Sequence, residues 1–125
     1  MGKRTILIID DEPDTLTFFS SVLVDEGFDV LTAVNGEKGL EILKTTKVDL
    51  ITLDVTMPEM SGVKCYRSIK EEPKSANIPT IIITGISDEF KTFISSRKQV
   101  PAPEGYISKP VEAEKLVAAV KGILG

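Results

Sequence analysis

Short apolar runs alternate along this chain with longer stretches whose apolar residues recur every three or four positions. Thr5–Ile9 (TILII) reads as a buried strand. Pro13 then stands at a first helical position, where a missing N–H costs nothing. Leu16, Phe19, Val22 and Leu23 follow at helical spacing, and Gly27 stops the helix. Asp29–Ala33 (DVLTA) reads as a second strand, and Asn35 can cap a helix to about Thr45 with Leu40 and Leu43 on its inner side. Residues 50–53 make a third strand, ended by Asp54 and a turn over 57–62. The helix after it runs from about Gly62 to Glu72, where Pro73 closes it. Pro79 leads into Thr80–Thr84, rich in isoleucine, and Ser87 or Asp88 can cap a helix carrying Phe90, Phe93 and Ile94. Residues 99–105 (QVPAPEG) form a loop, because Pro101 and Pro103 cannot continue a helix. Residues 106–108 are a brief fifth strand. Residues 111–124 are the last helix, with Glu112 and Glu114 in its first turn and Leu116, Val117, Val120 and Leu124 facing in.

Five strands alternating with five helices imply a parallel sheet covered by helices on both faces. Near-continuous apolar strands such as TIIIT are what a sheet buried on both sides requires. The 125 residues carry no internal repeat, low-complexity tract or linker, so one domain over residues 1–125 is expected. The formal charge is −4 with no basic cluster, which argues against a nucleic-acid footprint. There is no histidine, and that excludes a Ser-His-Asp triad, a Cys-His pair, histidine metal ligands and a phosphohistidine on this chain. A single cysteine, Cys65, rules out an internal disulfide; it sits in an apparent helix and is read as a packing or surface residue. Lys3 and Arg4 precede an apolar run that ends at Asp10, too short for a signal peptide or a membrane span, so a cytoplasmic location and no membrane association are expected.

The chemistry lies where the apolar runs stop. Asp10 and Asp11 close the first strand, Asp54 the third, Thr84 the fourth, and Lys109 with Pro110 the fifth. Ligands of open α/β sheets bind outside the carboxyl ends of the strands, where strand order reverses. With order 2-1-3-4-5 that point lies between the first and third strands, so Asp10, Asp11 and Asp54 converge there. One aspartate at a strand end is ordinarily a cap or a solvated turn residue; three that converge are another matter. Two carboxylates about 4 Å apart repel by roughly 4 kcal/mol at an effective dielectric near 20. Three of them call for a cation, and oxygen-only ligands suit Mg²⁺, with Mn²⁺ as a substitute. Lys109 supplies a charge that can balance a phosphoryl group.

The segments Ile9-Asp10-Asp11-Glu12-Pro13, Asp54-Val55-Thr56-Met57-Pro58, Thr84-Gly85 and Lys109-Pro110 together resemble the receiver domain of bacterial two-component response regulators, over about residues 4–124. The resemblance implies a flavodoxin-like (βα)5 doubly wound parallel sheet of five strands in the order 2-1-3-4-5. It also implies a phosphorylation-dependent signalling switch in a phosphorelay rather than an enzyme, although the domain catalyses its own aspartyl phosphorylation and dephosphorylation. A sensor histidine kinase or histidine phosphotransfer protein would donate the phosphoryl group to Asp54. Asp11 matches the direct Mg²⁺ ligand, Asp10 the acid that holds the metal through water, and Thr56 the backbone carbonyl ligand. Lys109 matches the lysine that pairs with the phosphoryl group, joined to Pro110 by a cis peptide. Thr84 and Tyr106 match the hydroxyl and the aromatic of a two-position switch. The surface of the fourth strand, the helix after it and the fifth strand would then change for an output protein or domain, with pairing of two phosphorylated copies as a family tendency.

The chain departs from the family pattern between Thr84 and Lys109, an interval a few residues longer than usual. Pro101-Ala102-Pro103-Glu104-Gly105 replaces a Gly-Ala pair. Ile86, two places past Thr84, is expected beside the phosphoryl group, where its bulk would hinder the hydrolytic water. The alternative reading is a receiver-like interaction module that works without phosphorylation; degenerate receivers typically lose an acidic ligand, the acceptor or the lysine, and this chain keeps all of them. An aspartyl-phosphate phosphatase of the haloacid dehalogenase type fits less well, since Thr56 stands where its second aspartate would be. A Walker-type or flavin site fails because the loop after the first strand is acidic and lacks the glycines.

Overall fold

The computed structural model describes residues 3–55, 62–85 and 103–125, with the backbone alone at 62 and 63. Its five strands are β1 (Thr5–Ile9), β2 (Asp29–Ala33), β3 (Leu50–Asp54), β4 (Thr80–Thr84) and β5 (Gly105–Ser108). All pairings are parallel and the sheet order is β2-β1-β3-β4-β5. Four helices stand among the described residues: α1 (Pro13–Asp25), α2 (Gly36–Thr45), α3 (Gly62–Glu71) and α4 (Ala113–Leu124). Residues 57–61 of the expected 57–62 turn, the helix with Phe90, Phe93 and Ile94, and most of the 99–105 loop lie outside the described residues.

The local signals act where the sequence places them. Pro13 opens α1, and Gly27 ends it with φ +95°, a conformation that costs glycine little. Asn35 Oδ1 accepts the Lys38 N–H at 2.9 Å, capping α2. Two helix boundaries differ from expectation, and two strands are each one residue longer, β3 through Asp54 and β5 from Gly105. The third helix stops at Glu71, because Glu72 precedes Pro73 and the proline ring disfavours helical backbone there. The last helix begins at Ala113, since Glu112 is extended and its carbonyl accepts the Leu116 N–H at 3.1 Å as the first helical bond.

Strand alternation divides the core between the two faces of the sheet. Leu7, Ile9, Ile51, Leu53 and Ile82 meet Leu43 of α2 and Cys65, Tyr66 and Ile69 of α3. On the other face Ile6, Ile8, Leu50, Ile81 and Ile83 meet Leu16, Phe19 and Leu23 of α1 and Leu116 and Val120 of α4. Each such side chain contributes about 1.5–3 kcal/mol by leaving water, and that is what fixes the strand ends against one another. Val117, expected inward, is only half-buried; Ala119 and Ile123 pack on the core instead. Cys65 is wholly buried, and burial pushes its thiol up to about 11, so it packs rather than reacts. Among the described residues no helix is long and apolar enough to cross a membrane.

One buried group works against this core. Thr52, at the centre of β3, is 1% exposed, and its hydroxyl has no hydrogen-bond partner among the described residues. The isosteric Thr52→Val removes a desolvated hydroxyl without opening a cavity. It is expected to stabilise the protein by about 1 kcal/mol, read as a higher urea midpoint with unchanged slope; a lower midpoint would mean the hydroxyl is satisfied.

Candidate metal and phosphoryl site

The carboxyl edge of the sheet collects the polar residues named above. Parallel pairing sets Asp54 beside Ile83 and Thr84 beside Ser108, so the ends of β3, β4 and β5 lie in step. Asp54 is the last residue of β3 rather than the first beyond it, and is 1% exposed. The Asp10 N–H donates to the Ala33 carbonyl at 3.1 Å, which carries β1 pairing one residue further and draws Asp10 inside at 1% exposure. Carboxylate oxygens of Asp10, Asp11, Glu12 and Asp54 lie within 4.8 Å of one another. Glu12 joins the three expected aspartates in this group, and its place as a third consecutive acid after a strand is the sequence signal for it.

Lys109 answers the acids from β5. Its Nζ donates to Asp54 Oδ2 at 2.7 Å and lies 4.0 Å from Glu12 Oε1. Its backbone N–H donates to the Thr84 carbonyl at 2.8 Å, which ties the lysine segment to the end of β4. The Lys109–Pro110 peptide is cis. Partial burial opposes the charge on the lysine, but the hydrogen bond to Asp54 and the charges of Asp54, Asp10 and Glu12 outweigh it and raise its pKa.

A single lysine does not satisfy the group. Asp10 Oδ1 accepts the Glu12 N–H at 2.9 Å, whereas Asp10 Oδ2 is buried without a hydrogen-bond partner among the described residues. Burial first, and then the neighbouring Asp54, push the Asp10 carboxyl up to about 7 against the pull of the Glu12 N–H and Lys109. An orphaned buried carboxylate oxygen inside an all-oxygen donor set fits a hard divalent cation of the Mg²⁺ kind. Asp10, Asp11 and Asp54 are thus brought together with Lys109. Thr56 and Ile86 lie outside the described residues. Thr84 is buried at the same edge, and Tyr106, half-buried on β5, packs against the face of the sheet covered by α2 and α3.

Known proteins match this arrangement along almost the whole chain. The sequence profile of the response regulator receiver domain matches residues 6–121. The alkaline phosphatase synthesis transcriptional regulatory protein PhoP of Bacillus subtilis is 32% identical over 124 residues, covering 99% of this chain and 49% of that protein. A probable cyclic di-GMP phosphodiesterase of Vibrio cholerae is 43% identical over 88 residues, 70% of this chain and 20% of its own length. The chain therefore spans half or less of these two curated relatives. Among solved structures, the response regulator TrrA of Thermotoga maritima in complex with Mg²⁺ and BeF superposes with a TM-score of 0.82 at 29% identity, covering 96% of this chain and 98% of that one. A match of this length, over a sheet of this order, makes the chain a member of the response regulator receiver domain family of two-component signalling.

Proposed function

We propose that residues 1–125 form one receiver domain that accepts a phosphoryl group on Asp54 and signals by a change of surface. The observation that carries this is the Lys109–Asp54 pair, 2.7 Å long, set inside a carboxylate cluster that includes an orphaned Asp10 oxygen. Asp11 would hold Mg²⁺ directly, Asp10 through water, and Asp54 and the Thr56 carbonyl would complete the protein's share; Mn²⁺ can stand in on the same oxygens. When bound, the cation supplies neutralisation of charge on the phosphoryl oxygens. The Asp54 carboxylate attacks phosphorus in line, and the bond from phosphorus to the donor breaks as the acyl phosphate forms. Lys109 shifts from Asp54 to the incoming phosphoryl oxygens, exchanging one anionic partner for another.

The donor in this reading is a sensor histidine kinase or a histidine phosphotransfer protein. A cavity of about 500 Å³ lined by Glu12, Phe18, Lys109 and Pro110 lies beside the carboxylate edge and reaches Glu12 and Lys109 of the site, though not Asp54 itself. Thr84 then turns to the phosphoryl group and Tyr106 follows. The surface around β4 and β5 is what an output protein or domain would read, and two phosphorylated copies would pair through it. Moving such a switch from mostly off to mostly on takes about 5 kcal/mol of differential stabilisation, which new contacts of a dianion with Lys109, Thr84 and backbone N–H groups can supply.

Incubation with Mg²⁺ and acetyl phosphate tests the reading by intact mass. One added phosphoryl group, lost in EDTA, is expected. No adduct, together with no stabilisation by Mg²⁺, would favour an interaction module that works without phosphate.

A further inference from the structure

At the opposite edge of the sheet, where β4 and β5 begin, a lysine is buried. Lys70, in the last turn of α3, keeps 3% of its side chain exposed. Its Nζ donates to the carbonyls of Ile78 at 2.9 Å and Ala76 at 3.4 Å, stands 5.6 Å from the centre of the Tyr66 ring, and lies 3.8 Å from Glu104 Oε1. Burial lowers the pKa of this amine, and the Glu104 charge works against that. Two carbonyls alone would leave a desolvated cation without a counter-charge, a costly arrangement; Glu104, its own side chain 41% exposed, supplies one from the rim.

Glu104 also ties the two strands. Its Oε1 accepts the Thr80 N–H at 2.8 Å, and its own N–H donates to the Thr80 carbonyl at 3.0 Å. One residue thus occupies both backbone groups at the start of β4 while holding the end of α3 by charge. Tyr106 follows two positions later, on the same face by strand alternation, and packs against the cluster in which Tyr66 is wholly buried.

We propose that the Lys70–Glu104 pair is a latch that fixes where β5 begins against β4 and α3, and thereby favours the placement of Tyr106 seen in this structure. Lys70 and Glu104 are positioning residues, remote from the carboxylate edge. The signalling consequence rests on the receiver reading: a switch whose aromatic must move works against whatever anchors its strand, and this anchor lies on α3, which the sequence joins to Asp54 through residues 55–61.

The test uses the full chain carrying fluorotyrosine, which reports on two tyrosines, Tyr66 and Tyr106; a Tyr106→Phe protein assigns the signals. Glu104→Gln keeps an oxygen for the Thr80 N–H and removes only the charge. Lys70→Met removes the cation with similar bulk and serves should the first variant fold poorly. In the unphosphorylated protein either substitution is expected to move the Tyr106 fluorine resonance. The double variant should move it no further than the single ones, because the two residues act as one unit. The rate of phosphorylation by acetyl phosphate should change by between about twofold and thirtyfold, the range of coupling energies carried across a domain. A folded Glu104→Gln protein with an unmoved Tyr106 resonance overturns the latch, whatever its rate. A moved resonance with an unchanged rate keeps the latch and overturns instead the coupling of Tyr106 to Asp54.

Discussion

Replacing Asp54 with asparagine is expected to abolish uptake of a phosphoryl group from acetyl phosphate while leaving the fold intact. The carboxylate is 1% exposed and reaches Lys109 Nζ at 2.7 Å. An asparagine of nearly the same shape keeps one oxygen for that lysine, so the packing of β3 against β4 has no reason to change. What it loses is the nucleophile, since an amide does not attack phosphorus at a useful rate. It also removes one of the carboxylates that converge at the switch point, which weakens any cation held there. Intact mass on parent and variant checks the chemistry, and a denaturation curve checks the fold. An adduct of parental stoichiometry on a folded Asp54→Asn protein would move the nucleophile to another acid of the cluster, Asp10, Asp11 or Glu12, and would end the assignment to Asp54.

The fold was legible because its strands have one use. TILII and TIIIT are apolar at every position or nearly so, which suits only a strand covered on both faces. Helical spacing between such runs leaves parallel pairing as the natural outcome. Asp10, Asp11, Asp54 and Lys109 were legible for a topological reason: parallel strands deliver their carboxyl ends to one edge, so residues far apart in sequence can be assembled on paper. The distances were not legible. That Lys109 meets Asp54 at 2.7 Å, 55 positions away, while standing 4.0 Å from Glu12 depends on how β5 sits against β4 and β3. Lys70 shows a different limit. A lysine in the last turn of a helix reads as a solvated cation favoured by the helix dipole, and nothing local says that Ile78, Ala76 and Glu104 close over it. In the sequence Glu104 stands out only as part of an unusual proline-rich stretch. Its bonds to both backbone groups of Thr80 come from long-range register, to which periodicity is blind.

Asp10→Asn is expected to make the metal-free protein more stable and to remove most of its response to Mg²⁺. The Asp10 carboxyl is raised from 3.8 to about 7, first by burial and then by Asp54, against the pull of the Glu12 N–H and of Lys109, with Asp11 and Glu12 in the same cluster. A carboxyl whose folded pKa lies above its unfolded one favours the fold fully below the unfolded value, and that contribution is lost as pH rises through the folded value. The metal-free parent should therefore lose stability between about pH 4 and pH 8, by an amount of order 2–4 kcal/mol. Mg²⁺ needs the ionised form, so its stabilising effect should grow over the same window. Asparagine retains the acceptor for the Glu12 N–H and carries no charge to desolvate. Its stability should be flatter with pH and higher than the parent's at pH 8 in EDTA, while Mg²⁺ should bind at least roughly tenfold more weakly. Melting curves of both proteins across pH, with EDTA and with Mg²⁺, decide the matter. A variant less stable than the parent at pH 8 without metal would mean that the Asp10 charge is already paid for by Lys109 and the Glu12 N–H. In that case the orphaned oxygen would not be the feature that holds a place for the cation.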